Sequence, residues 1–133
     1  MHRNRLIRLL LSVILLSTTA GCRKLDSETL LTEVSIRMVM PDSRPVVRLE
    51  IRDAASGFYN INTYERTAFP APDGNTATVR LRRGVYTFTV EAEATYEDGS
   101  TSLLRCADYN QITQAVTWVR ERESAVLLLK SVN

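Results

Sequence analysis

The chain has 133 residues, 44% of them hydrophobic and 24% charged, with a formal charge of +2. That length suits one domain with one core. Its single histidine is His2 and its cysteines are Cys22 and Cys106; beyond position 2 there is no imidazole for Ser-His-Asp or Cys-His catalysis or for a His-rich zinc site.

The first twenty-two residues organise the rest. Arg3, Arg5 and Arg8 precede an apolar run, Leu9 to Leu16, and no acid occurs before Asp26. A membrane-spanning helix needs about 20 apolar residues, whereas the core of an export signal needs roughly 7–15. Small residues then lead to Cys22 through Thr19-Ala20-Gly21. Ala20 and Gly21 are small enough for a peptidase cleft, and a thiolate at Cys22 is a competent nucleophile for a lipid donor. An ordinary secretory signal cut after Ala20 or Gly21 is the alternative. Without residues 1–21, which hold three arginines and no acid, 112 residues remain and the formal charge falls from +2 to −1. The basic balance thus belongs to the leader, and charge gives no case for nucleic acid binding. Cys106 reads as a small buried hydrophobe; under an ordinary secretory signal a Cys22–Cys106 disulfide is the alternative.

Residues 22–32 read as a tether, opening with Arg23-Lys24-Leu25-Asp26-Ser27-Glu28. From residue 33 the dominant period is two, the signature of strands. Val34, Ile36, Met38 and Met40 form one apolar face; Pro41 to Pro45 is a turn; Val47, Leu49 and Ile51 then alternate inward with Arg48, Glu50 and Arg52. Asp53 to Gly57 turns the chain into a weaker strand, Phe58 to Tyr64, and Phe69 to Asn75 is a loop.

Ala77, Val79 and Leu81, then Tyr86, Phe88, Val90, Ala92, Ala94 and Tyr96, predict a hairpin across Arg83-Gly84. Its wet face would carry Arg80, Arg82, Glu91 and Glu93, paired across the strands. Further strands are expected at residues 101–107, 111–119 and 124–132, the last lying centrally because Ala125 to Leu129 is continuously apolar. Trp118 reads as a core or edge anchor rather than a ligand-stacking residue. Seven or eight short strands with frequent turns predict an all-β fold over residues 33–133, an antiparallel Greek-key β-sandwich of immunoglobulin-like kind.

Glu91 and Glu93 lie two apart on one face and read as solvated acids rather than a glycosidase pair, whose members come from different strands of a cleft. Asp73-Gly74-Asn75 and Glu97-Asp98-Gly99 read as turns, since neither supplies the oxygen-rich loop of a calcium site. No catalytic residue, metal ligand or cofactor is therefore expected. Phe58, Tyr59 and Tyr64 with Asn60 and Asn62 form the one aromatic and amide cluster, a composition suited to contact with a glycan or a protein.

Thr19-Ala20-Gly21-Cys22 resembles the lipobox of bacterial lipoproteins, with Thr at the position where Leu is commonest. The resemblance implies diacylglycerol on Cys22, cleavage between Gly21 and Cys22, and a membrane partner through the lipid. Val47 to Arg52, Asp73-Gly74-Asn75, Thr78 to Leu81 and Gly84-Val85-Tyr86-Thr87-Phe88-Thr89-Val90 resemble the prealbumin-like domains, also called transthyretin-like or carboxypeptidase-regulatory-like. Arg82-Arg83 stand where that pattern usually carries Pro. The layout is similar to small lipoproteins of Bacteroidetes, some encoded near TonB-dependent receptors or fimbrial subunits. It implies a non-enzymatic protein of the cell envelope at the outer membrane, periplasmic or surface-exposed. Its domain would be a binding or assembly module, alternatively a structural or accessory subunit of a fimbria or of a TonB-linked glycan uptake complex.

Overall fold

A computed structural model describes residues 30–132. The expected export signal, Cys22 and most of the expected tether lie outside these residues. Two sheets pack face to face. Their strands are β1 (Leu31–Val39), β2 (Val46–Ile51), β3 (Gly57–Asn60), β4 (Arg66–Thr67), β5 (Thr76–Arg82), β6 (Gly84–Tyr96), β7 (Thr101–Tyr109), β8 (Val116–Trp118), β9 (Arg122–Leu128) and β10 (Lys130–Ser131). The first begins at Leu31, two residues inside the segment expected to be tether.

Sheet A has the order β5-β1-β9. Along β1, Thr32, Val34, Ile36 and Met38 are buried and the residues between them are exposed, the period-two pattern of a strand with one wet face. Its pairing with β5 is antiparallel and its pairing with β9 parallel. Sheet B is built around the thirteen residues of β6. One flank of β6 takes β2 along Ala92 to Tyr96 and β3 along Tyr86 to Thr89; the other takes β7 along Phe88 to Thr95 and β8 along Gly84 to Tyr86. The inward residues of β6, from Tyr86 to Tyr96, are each no more than 3% exposed.

The core between the sheets is rich in rings. Phe58 stacks on Phe69 at 5.3 Å and meets Phe88 at 5.4 Å and Trp118 at 6.0 Å. Phe88 stacks in turn on Tyr109 at 4.6 Å. Offset and edge contacts of this kind add about 0.5–1.5 kcal/mol per pair beyond burial. Trp118, 3% exposed, sits in this cluster as the sequence suggested. At the other end of β6, Arg44 of the Pro41–Pro45 turn pairs with Asp42 and lies 3.8 Å from the centre of the Tyr96 ring.

The all-β sandwich is as expected, and five particulars differ. First, β5 and β6 are not a hairpin. Each pairs elsewhere, β5 with β1, and Arg83-Gly84 is a corner that carries the chain from one sheet to the other. Alternation reports which face is wet but not which strand lies alongside. Second, Val47 is 61% exposed rather than inward, because a bulge between Val46 and Arg48 shifts it out of step; bulges of this kind are common on edge strands. Third, residues 111–119 hold a short 3-10 turn, Ile112–Gln114, before a strand of only three residues. Fourth, residues 124–132 split at the buried Leu129, where the chain leaves sheet A to form β10 in sheet B. Fifth, β9 is an edge strand, and its Val126 and Leu128 face outward at 45% and 54% exposure. An apolar run alone cannot separate a central strand from an edge with apolar residues on its outer face.

Candidate functional site

Strand alternation divides the five residues of the aromatic and amide cluster. On β3, Phe58 and Asn60 point into the sandwich at 0% and 2% exposure, and Tyr59 points out from sheet B. Phe58 is therefore core and unavailable to a partner.

Asn60 builds the turn that follows it. Its Oδ1 accepts the backbone N–H of Asn62 at 2.9 Å and of Thr63 at 3.2 Å, the local capping geometry for which asparagine is favoured in turns. The backbone N–H of Tyr64 donates to the Asn60 carbonyl, and that of Asn60 to the Glu65 carbonyl, both at 2.9 Å. Asn62 braces the turn against the inter-sheet corner, its Oδ1 accepting the Val85 N–H at 3.2 Å while the Ile61 N–H donates to the Val85 carbonyl at 3.0 Å. On the same corner, the Tyr86 hydroxyl donates to the Arg82 carbonyl at 2.7 Å. Asn60 Nδ2 has no hydrogen-bond partner among the described residues. A Cβ at Gly84 would come within 2.8 Å of it.

This framework holds Tyr64 at φ +61°, the one non-glycine residue with positive φ among those described. For a residue with a Cβ the left-handed region costs about 1–2 kcal/mol. The surrounding bonds over-determine it, as is common where a backbone outlier serves a purpose. The result is a projecting ring, 76% exposed, with its centre 6.5 Å from that of Tyr59, 40% exposed, and the two planes inclined at 58°. Tyr59 and Tyr64 thus form an exposed aromatic corner on a braced turn. Phe58, Asn60 and Asn62 are its foundations rather than its contact surface.

Glu91 is not the solvated acid expected from sequence. It is 8% exposed, with Arg105 at 2.6 Å and Arg52 at 3.6 Å from its carboxylate, while Arg52 also reaches Glu93 at 3.4 Å. The hydrogen bond from Arg105 leads the causes that hold the Glu91 carboxyl below its ordinary value, the charges of Arg105 and Arg52 adding to it. A carboxylate held ionised between two guanidinium groups is a poor proton donor at neutral pH. Arg52 and Arg105 carry no motif that would have revealed this from sequence; the pairing depends on β2 and β7 flanking β6 at the same level.

Cys106 is buried in the core at 2% exposure, and burial pushes its thiol pKa up, the opposite of the thiolate-stabilising setting of a reactive cysteine. The residues of the Asp73 turn and the Asp98 turn act locally. Asp73 and Thr76 exchange backbone hydrogen bonds, and Asp98 accepts from the backbone and hydroxyl of Ser100. Glycines at φ +60° and +81° make both turns possible.

Two adjoining cavities of about 450 and 510 Å³ lie between β2 and the loop at residues 68–75, sharing Leu49 and Pro72 as walls. They form a groove beside the outer edge of β2, which among the described residues pairs only with β6.

No family model matches the chain, and no curated protein matches it. Among solved structures it is similar to a DUF4876 family protein from Bacteroides thetaiotaomicron, with a TM-score of 0.58 at 12% identity. The alignment covers 76% of this chain and 23% of that one, so the sandwich spans about a quarter of its neighbour's length. At that identity the likeness is one of fold, and the comparisons place this chain beside a β-rich protein of Bacteroides.

Proposed function

We propose that the chain is a non-enzymatic lipoprotein of the bacterial cell envelope, anchored at the outer membrane through lipid on Cys22, whose β-sandwich serves as a binding module. The observation that carries the binding role is the Tyr59–Tyr64 corner: two exposed rings 6.5 Å apart on a turn fixed by its own hydrogen bonds. Two-torsion aromatic side chains on a rigid support offer contact area at low entropic cost, and they suit an envelope glycan or protein partner. The lipobox-like Thr19-Ala20-Gly21-Cys22 supports the anchoring, and the prealbumin-like pattern of residues 47–90 supports a module rather than an enzyme. The engagement of Glu91 with Arg105 and Arg52 points the same way.

Anchoring is tested by metabolic labelling with a palmitate analogue. The full precursor takes up label, and Cys22→Ser abolishes it; label retained in Cys22→Ser, or absent from both, removes the anchor. Binding is tested on a glycan array and by pull-down from an envelope fraction, with Tyr59→Ala and Tyr64→Ala as comparison. A ligand bound equally well by parent and both variants would relocate the site.

A second reading, an assembly subunit of a fimbria or a TonB-linked complex, is favoured by β9. Among the described residues its outer edge has no partner strand, and it has no bulge and no proline from Ser124 to Leu128 while carrying exposed Val126 and Leu128. Monomeric proteins usually guard such edges. A mature protein that sediments as a monomer and forms no β9-dependent cross-link excludes this reading.

A further inference from the structure

We propose that the outer face of sheet A is a docking surface for anionic lipid headgroups, and that it lays the sandwich flat on the membrane with the Tyr59 side turned away. The inference rests on the lipid-anchored reading of Cys22. It starts from an uneven distribution of charge. The described residues carry twelve Arg and Lys against thirteen Asp and Glu, so the domain as a whole is close to neutral. Yet the wet face of sheet A holds Arg37, Arg80, Arg82 and Arg122 against the single acid Glu33.

Registers fix the layout of this face. Arg80 and Arg122 flank Glu33 in one row, Thr78 and Ser124 flank Ser35 in the next, and Thr76 and Val126 flank Arg37 in the third. Arg37, Arg80 and Arg122 form no salt bridge among the described residues, whereas Arg82 of the same face lies 3.7 Å from the Glu65 carboxylate and Arg44, Arg48, Arg52, Arg105 and Lys130 each pair with a carboxylate. Small hydroxyl side chains, Ser35, Thr78 and Ser124, lie between the arginines, which are exposed on this three-stranded face. That is the complement of a planar anionic layer, and guanidinium groups match phosphate geometry.

The tether sets where this face can be. Cys22 is nine residues before Leu31, the first residue of the central strand of this sheet. Fully extended chain spans about 3.3–3.6 Å per residue, so the domain cannot stand more than roughly 30 Å from its lipid. Strand β1 itself is nine residues long, roughly the same length at 3.3 Å per residue. A domain held this close and joined at one end of the central strand of its basic face can bring that face to the headgroup layer without a longer tether. Tyr59 lies on the outer face of the opposite sheet and stays accessible.

The test uses the mature chain from residue 22 onward as Cys22→Ser, which has no lipid and contains the whole core from Val34 to Leu129. Co-sedimentation is measured with vesicles of equimolar phosphatidylglycerol and phosphatidylcholine and with vesicles of phosphatidylcholine alone. The parent partitions onto the anionic vesicles in a salt-sensitive manner. Each of Arg37→Gln, Arg80→Gln and Arg122→Gln lowers the partition about fivefold, and the triple variant about a hundredfold, the worth of three basic residues near an anionic surface. Glu33→Gln raises it by a similar factor. All four side chains are exposed, so folding is not at stake, and circular dichroism confirms it. Equal binding to both vesicle types, or a triple variant that binds like the parent, overturns the proposal. Palmitate labelling that fails while anionic vesicles still bind removes the anchor and leaves the basic face standing. Labelling that succeeds without anionic preference removes the face and leaves the anchor.

Discussion

Gly84→Ala gives a test in which the sign of the effect is at issue. Gly84 does not have the positive φ of Gly57, Gly74 or Gly99, so its backbone suits alanine. By the usual argument from chain entropy, alanine at such a site stabilises by about 0.4–1 kcal/mol. The structure predicts the reverse. The new Cβ would lie 2.8 Å from Asn60 Nδ2 and 3.4 Å from the Oδ1 atoms of both Asn60 and Asn62. Asn60 is 2% exposed, and its amide cannot turn aside without releasing the N–H groups of Asn62 and Thr63. If the amide stays, the overpacked corner costs about 1–3 kcal/mol. If it swings away, two hydrogen bonds worth about 1 kcal/mol each are lost. Either route outweighs the entropic gain and leaves a net loss of about 1–2 kcal/mol, a fall in Tm of roughly 4–8 °C per kcal/mol for a domain of this size. Thermal and urea unfolding of the mature chain measure it. A variant as stable as the parent, or more so, would refute the claim that Asn60 is locked against this corner, and with it the rigidity ascribed to Tyr64.

Three further outcomes follow from the same geometry. Phe58→Ala, which empties a site ringed by Phe69, Phe88 and Trp118, loses about 3–5 kcal/mol in urea unfolding, whereas Tyr59→Ala next to it changes stability by less than about 0.5 kcal/mol. Glu91 has a folded-state pKa below its ordinary 4.5, so its ionised form contributes stability that is fully present above that value and drains away as pH falls through the depressed one. The stability difference between parent and Glu91→Gln is therefore constant above about pH 5.5 and shrinks below pH 4.5 in acid titrations of unfolding. Cys106, buried and with a raised pKa, resists iodoacetamide at pH 8 in native buffer and reacts promptly in denaturant; rapid native labelling would contradict its place in the core.

Alternation in the sequence was enough to locate β1, β5, β6 and β7, because each buries one face and wets the other. It was not enough to say which strands lie side by side. Val79 and Val90 look alike from sequence, yet one belongs to each sheet. Partnership is decided by packing at Gly84, where the chain turns from one layer to the other, and no local signal encodes that turn. For the same reason β9 looked central: its apolar run fits burial on both sides, and only its position beside β1 alone shows an edge. The aromatic cluster was legible as a composition, and period two would have assigned Phe58 and Asn60 to one face and Tyr59 to the other. The left-handed backbone of Tyr64 was not legible, since no glycine marks it and the bonds that impose it come from Asn60 and Glu65. Glu91 was misjudged because its burial depends on Arg52 and Arg105, far away along the chain.

The pairing of β1 with β9 has a consequence for the order in which the protein can form. The register sets Glu33 against Arg122 and Val39 against Leu128, so the earliest strand of the domain has one of its two partners at the far end of the chain. β2 and β3 likewise wait for β6. Contacts so distant in sequence fold slowly, since loop closure precedes their reward. A chain delivered from its N-terminus can assemble β1 with β5, but sheet A stays a two-stranded ribbon until residues 122–128 arrive. Such a ribbon is marginal in water. The sandwich therefore closes only when its last strands are free, which keeps the chain threadable for as long as its C-terminal end is held back.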